Sequence, residues 1–305
     1  MHKIFLAIVL GMKYIIALLL AFVACLQAEK WQKVTYQFPD EMIDVVIPCV
    51  RKDLETLELA IEGIRKNGKN IRRIIIVSKE PMTANAEWFD ESNFPFSKRE
   101  MAIEVFHGDE VAAQEFLDSP RSRIGWMYQQ MLKLYATFVI PEISSNVLVL
   151  DADVIFLNAV EFISPSHTPY FAVGREYMMP YFEHAARLLP GLHRVHAQHS
   201  GIAHHMLLQR PILEDLFSQI SKHHGVDAWK AFCRCVDLNE LYKSPFSEYE
   251  IYFNFTMLRT NQGAIRHLRW MDVFNLRNMA WHKRTGYHYI ACHEWWRTLH
   301  GESLW

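Results

Sequence analysis

Asn146-Val-Leu-Val-Leu-Asp151-Ala-Asp153-Val-Ile-Phe-Leu157 decides how this chain is read. An aliphatic run ends abruptly in two carboxylates separated by one small residue, and a second apolar run follows. Residues 147–150 are apolar on both faces, which is the pattern of a strand buried in the middle of an α/β sheet. Ligands of such sheets gather at the carboxyl ends of the strands. Two acids there are costly to desolvate as anions unless a cation or hydrogen-bond donors compensate them. Hard divalent cations take oxygen ligands and bring phosphate oxygens with them, so the stretch points to a metal–diphosphate site. An acid after a strand also serves as a turn or N-cap residue, and the apolar run on each side is what favours the metal reading.

Upstream, Ile43-Asp-Val-Val-Ile-Pro48 reads as a first buried strand. Residues 54–66 carry Leu54, Leu57, Ile61 and Ile64 on one helical face and stop at Asn67-Gly68, and residues 73–78 form the next strand. Together they make a βαβ unit with a right-handed crossover. Residues 103–106 read as a weaker strand and residues 128–139 as a helix ended by Pro141. Downstream, strands are expected at 170–173, 202–207 and 265–270, and helices at 211–220, 229–236 and 248–258. No Gly-x-Gly-x-x-Gly follows the first strand, and no phosphate loop or nucleophile elbow appears.

The 305 residues are 50% hydrophobic and 13% aromatic, enough for a large core. Lys and Arg (32) nearly balance Asp and Glu (34), so no basic excess favours nucleic acid as a partner. Residues 1–28 are expected to be a signal peptide or signal anchor. Residues 4–26 are almost wholly apolar apart from Lys13, and the run is long enough for the about 20 residues a bilayer span needs. Met12-Lys13 offers a second start, Ala28 a cleavage site, and Phe22-Val-Ala-Cys25 a poor lipoprotein box. The expectation is export or membrane anchoring; a catalytic domain on the cytoplasmic face stays open. Outside this segment lie Cys49, Cys233, Cys235 and Cys292, which have no zinc-like spacing and read as structural.

The βαβ start with Val46-Ile-Pro48 and the Asp-x-Asp at a central strand end resemble the GT-A class of nucleotide-sugar glycosyltransferases. More narrowly, three segments resemble a poorly characterised bacterial glycosyltransferase-like family. They are Gly125-Trp-Met-Tyr-Gln-Gln-Met-Leu-Lys133, Leu148-Val-Leu-Asp-Ala-Asp-Val154 and Ser247-Glu-Tyr-Glu-Ile-Tyr252. The resemblance implies a mixed, mostly parallel α/β sheet flanked by helices, in a single catalytic domain over 29–305. Its nucleotide-binding half would cover about 41–157 and its acceptor half about 158–305. It implies a Mn²⁺ or Mg²⁺ ion, a donor that is a UDP-sugar, and a glycan, lipid-linked or protein acceptor. Asp153 would bind the metal, and Asp151 the ribose, the sugar or the same ion through water. Pro48, Ser78, Gln130 and Lys133 would join Asp151 in holding the donor. The acid that many relatives place after the second strand to read the base is absent; Ser78-Lys79-Glu80 stands there.

Ser247-Glu-Tyr-Glu250 has the form of a capping box, with Glu250 reaching back to the Ser247 N–H. That leaves Glu248 as the candidate general base for an acceptor hydroxyl. A further metal ligand is expected near the C-terminus at His293, with His288 in reserve, while Trp281, Trp295 and Trp296 offer faces for sugars. Of the sixteen histidines, His193, His196, His199, His204 and His205 crowd one region. Residues 200–203 read as a strand entering the site, with Gly201 leaving room for the donor sugar. His204 and His205 would face opposite sides of it. The same histidines, with Asp151 and Asp153, define a second reading, a metal-dependent hydrolase. A third is a non-catalytic carbohydrate-binding domain.

Overall fold

A five-stranded sheet carries the chain's central core. In the computed structural model, which describes residues 31–305, residues Lys33–Trp305 form one unit. The first strand, β1 (Ile43–Pro48), is buried along its whole length. Helix α1 (Leu54–Asn67) returns the chain to β2 (Ile71–Ser78), parallel to β1, and β3 (Glu87–Asp90) extends the sheet beyond β2. Helices α2 (Lys98–Val105), α3 (Glu110–Asp118) and α4 (Ile124–Val139) precede β4 (Asn146–Leu150), which inserts parallel on the other side of β1. The antiparallel edge strand β7 (His205–Gln209) completes the order β3-β2-β1-β4-β7. The fold is therefore mixed α/β, with a mostly parallel central sheet flanked by helices.

Beyond β4 the chain turns at the two acids into β5 (Val154–Phe156) and then β6 (Tyr170–Phe171), which is followed by α5 (Met179–Leu188). After β7 come α6 (Arg210–His224), α7 (Ala228–Arg234) and α8 (Glu248–Arg259). Strands β8 (Ala264–Ile265) and β9 (Trp270–Asp272), helix α9 (Met279–Arg284), strand β10 (Tyr289–Ala291) and helix α10 (Glu294–His300) follow. A second sheet, β5-β10-β9, packs on α1, and Gly63 makes the approach close. A Cβ there would lie 2.9 Å from the Phe156 backbone N and O. Val45, Ile47, Leu57, Ile61, Ile64, Leu148, Phe156 and Tyr289 share the resulting core. The buried acid of β1, Asp44, lies away from the site end, is neutralised by Arg72 and accepts from the Ser144 N–H at 2.9 Å.

Several local expectations shift. Residues 103–106 are the end of α2 and not a strand. Ser97 and Glu100 form a capping box that starts the helix, and Met101, Ala102 and Val105 bury one of its faces. The run 265–270 splits between β8 and β9. Residues 200–203 are loop, touching Gly174 by one bridge, and β7 starts only at His205. The apolar segment at 1–28 lies outside the described residues; among the described ones no helix is long and apolar enough to cross a membrane.

Candidate functional site

The carboxyl ends of β1, β2 and β4 open into a cavity of about 760 Å³. Pro48 lines it from β1, Val77 from β2, Gln130 and Lys133 from α4, and Asp151 and Asp153 from the β4–β5 turn. Glu248 enters from the first turn of α8 and His293 from the end of β10. Ser78 does not reach the cavity. Its hydroxyl donates to the Glu80 carbonyl at 2.7 Å and shapes the turn after β2.

Lys133 is the polar centre of the inner wall. It is fully buried, with Nζ 2.6 Å from Asp151 Oδ1 and 2.8 Å from Glu248 Oε1, and it donates to the Tyr249 hydroxyl at 3.1 Å. Burial alone would lower its pKa, but the Asp151 and Glu248 carboxylates hold it protonated, well above the ordinary lysine value. One cation thus faces two anions. Glu248, 1% exposed, is the more deeply buried carboxylate, and desolvation raises its pKa although Lys133 opposes the rise. With its NH₂ turned toward the carboxylate, the Gln130 amide also donates to Glu248.

Glu250 does not close a capping box. Ser247 Oγ accepts from the Glu250 N–H, but the Glu250 carboxylate points the other way. It accepts from Ser200 Oγ at 2.6 Å, the Gly201 N–H at 3.2 Å and Asn254 Nδ2 at 2.9 Å. Gly201 accordingly makes no room for a sugar. A Cβ there would lie 2.7 Å from Phe253 Cβ and from the Tyr249 carbonyl, so the loop presses on α8. Truncating Glu250 to Ala leaves buried donors unpaired and is expected to cost about 3 kcal/mol. Ser247→Ala, which removes only a helix cap, is expected to cost about 1 kcal/mol. Urea titrations of the two variants check this; equal losses would return Glu250 to a capping role.

The other wall is a cluster of histidines and acids. His293 Nδ1 lies 2.7 Å from Asp153 Oδ2, and its Nε2 lies 3.4 Å from Asp272 Oδ1. His204 Nε2 is 3.3 Å from the same Asp272 oxygen, and its Nδ1 is 3.9 Å from Asp151 Oδ2. Register explains the meeting. Ala291 of β10 pairs with Val154 of β5 on one side and with Asp272 of β9 on the other, so Asp153, Asp272 and His293 leave one edge together. His204 is held by the hydrogen bond from the Asp151 N–H to its carbonyl and adopts a left-handed backbone (φ 59°) that non-glycine residues rarely take. His205 points into the core, among Phe156, Phe162 and Tyr289. His193 Nδ1 is 2.7 Å from the Gly191 carbonyl, while the His199 ring packs against those of His196 and His267; none of these joins the cluster.

Those contacts suit a shared cation. Ligand atoms of His204, Asp272 and His293 all lie within 4.8 Å of one another. Asp153 Oδ1, His204 Nε2 and Asp272 Oδ1 are buried without an aligned hydrogen-bond partner, a costly arrangement among protein groups alone. Asp272 is not among the ligands expected from the sequence, and His204 is there only as one of the crowded histidines of the hydrolase reading. The signal available was an acid ending the short apolar run at 270–272. His288, the reserve ligand, instead accepts from the Arg269 N–H through Nδ1.

In the metal-free protein, burial works against a charged His293, but the hydrogen bond to Asp153 and the nearby Asp272 carboxylate push its pKa up to about 10. Asp153 and Asp272 are both lowered; burial opposes this, and the facing imidazoles outweigh it. The folded state therefore keeps a His293 proton that the unfolded chain releases. This contribution to stability is complete below about pH 6.5 and is lost as pH climbs through about 10. The lowered acids set the other limit, because their contribution is lost as pH falls below the ordinary carboxylate range. Chelator-treated protein is expected to lose melting temperature between pH 7 and 10, and His293→Gln to flatten that slope. An unchanged slope in the variant would remove His293 as its source.

No curated protein matches this sequence. Among solved structures, mouse xyloside xylosyltransferase 1 in its apo form is similar over 82% of this chain and 97% of that chain, at 9% identity and a TM-score of 0.40. Residues 40–300, a span holding every site residue named above, match a family described as "Family of unknown function (DUF6492)", and the chain belongs to that family.

Proposed function

We propose that this protein is a metal-dependent glycosyltransferase of GT-A type that takes a nucleotide sugar, a UDP-sugar, as donor and a hydroxyl group as acceptor. The observation that carries the reading is a meeting of distant segments. The acid pair after β4 lines the same cavity as His204 and as His293 at the end of β10, at the carboxyl edge of the central sheet, and Asp272 of β9 backs the two imidazoles. His204, Asp272 and His293 would hold the ion, with Asp153 orienting His293 and offering its unpaired oxygen. A donor set with two imidazoles favours Mn²⁺ over Mg²⁺, which prefers oxygen ligands alone. When bound, such an ion would stabilise the charge that gathers on a diphosphate leaving group.

The residues of the inner wall supply the rest. Lys133 fixes Asp151 at the cavity edge, where its carboxylate can accept hydrogen bonds from donor hydroxyls. Glu248 has the upward pKa shift of a group able to take and return a proton, and in this reading it receives the acceptor hydroxyl's proton. Its neighbours Lys133 and Gln130 hold the carboxylate in place. The amide of Gln130 is in turn buried, which keeps bulk water from that side.

The same two imidazoles also suit zinc, and so favour the hydrolase reading over the non-catalytic one. Calorimetry of the full chain with UDP, with and without Mn²⁺, tests the assignment, joined by elemental analysis of the purified protein. Mn²⁺-dependent UDP binding is the expected result. Stoichiometric zinc that resists dialysis, with no nucleotide binding, would overturn it in favour of the hydrolase.

A further inference from the structure

Beside the cavity, Trp295, Trp296 and Phe274 form an aromatic ledge, and we infer that it binds the ring faces of a neutral oligosaccharide, the acceptor if the glycosyltransferase reading holds. The Trp295 ring lies nearly parallel to His293 (17°, centroids 6.1 Å apart) and to Trp296 (10°, 5.9 Å). Phe274 meets Trp296 edge-on at 4.7 Å. Trp295 is 59% exposed although it lines the cavity, and Phe274 is 40% exposed. Large rings left in water at the mouth of a cavity that holds charged groups mark a binding surface. A ledge that starts at a histidine of the ion cluster and leads outward suits a chain of sugar rings whose first unit enters the site.

Neighbouring charges choose among occupants. Glu294 pairs with Lys52 at 3.9 Å, and Arg297 with Glu55 at 2.9 Å, so the ledge is flanked by balanced ion pairs. A sugar's apolar face can stack on the rings while its hydroxyls meet those paired groups. A bilayer would have to desolvate them. The balance also leaves no excess charge to attract an acidic polymer. The pairs tie α10 to the start of α1 and to the turn after β1, so the ledge is held in place before ligand arrives.

The test titrates the full chain with maltotetraose, cellotetraose and chitotetraose and follows tryptophan fluorescence. At least one tetrasaccharide is expected to bind. Trp295→Ala should weaken it on the order of tenfold, and Trp295→Phe, which keeps a ring, by much less. Trp296→Ala should also weaken it. Melting temperatures check that the exposed substitutions leave the fold intact. Binding that survives both Ala variants, or no binding of any tetrasaccharide, overturns the proposal. So does capture of wild-type protein by phosphatidylcholine–phosphatidylserine vesicles, or a dimer, that is lost in Trp295→Ala while no saccharide binds. Calorimetry of wild-type protein with Mn²⁺ and UDP separates the two claims. Saccharide binding without nucleotide binding keeps the ledge and removes the transferase; the converse removes only the ledge.

Discussion

Lys133→Met is expected to destabilise the protein by about 3–5 kcal/mol at pH 7, the range for removing one partner of a buried ion pair. Methionine fills nearly the same volume, so the loss reports charge and not a cavity. Two carboxylates, Asp151 and Glu248, then face each other without their shared cation. Burial already raises Glu248, and loss of Lys133 raises it further. A raised acid keeps a proton in the folded state that the unfolded chain gives up. Stability of the variant should therefore fall as pH climbs from the ordinary carboxylate range through the folded value. Urea titrations at pH 5 and pH 8 should show the gap to wild type widening with pH. Adding Glu248→Gln should recover a large part of it, since the excess charge is gone. A gap independent of pH, with no recovery in the double variant, would mean that the cluster is not electrostatically coupled.

Asp272→Asn is expected to have the largest effect on metal binding, weakening Mn²⁺ by more than about 100-fold, beyond the range of groups that only orient a ligand. Its Oδ1 faces both His204 and His293, so one substitution removes the charge that holds the two imidazoles together. Asp153→Asn separates two roles. If Asp153 acts only by orienting His293 through Nδ1, asparagine keeps an acceptor there and the loss stays within about 10–100-fold. If its unpaired Oδ1 binds the ion directly, the loss matches that of Asp272→Asn. Calorimetry with Mn²⁺ and circular dichroism on the same samples give both readouts. A folded Asp272→Asn protein with wild-type Mn²⁺ affinity would exclude the cluster as the metal centre.

Features written in short stretches of chain were legible without the structure. Continuous apolar runs set β1, β2 and β4, because a strand buried on both faces needs no polar alternation. Their parallel pairing, with α1 between the first two, follows from the length of the connection. That puts Asp151 and Asp153 at one sheet edge, while Lys133 and His293 come from the resemblance to glycosyltransferases. The strand expected at residues 103–106 is a helix end, because the capping box of Ser97 and Glu100 starts a helix that runs on to Val105. The role given to Glu250 failed for a different reason. A capping sequence says which backbone donors are free, and says nothing of a loop fifty residues upstream that offers better ones.

What only the tertiary structure decided is the company each site residue keeps. Glu248 reads in sequence as a first-turn acid, yet it is buried against Lys133, 115 positions away. Asp272 becomes a candidate ligand only because β10 inserts between β5 and β9, and His204 is picked out from the crowded histidines only because β7 runs back along β4. Strand register is set by side-chain packing across the whole sheet, and a slip of one residue would turn each of these groups to the opposite face. Periodicity and caps therefore determined the elements and the edge at which chemistry collects. The identity of the cluster was settled by long-range pairing, whose energy is spread over contacts that no local stretch of sequence contains.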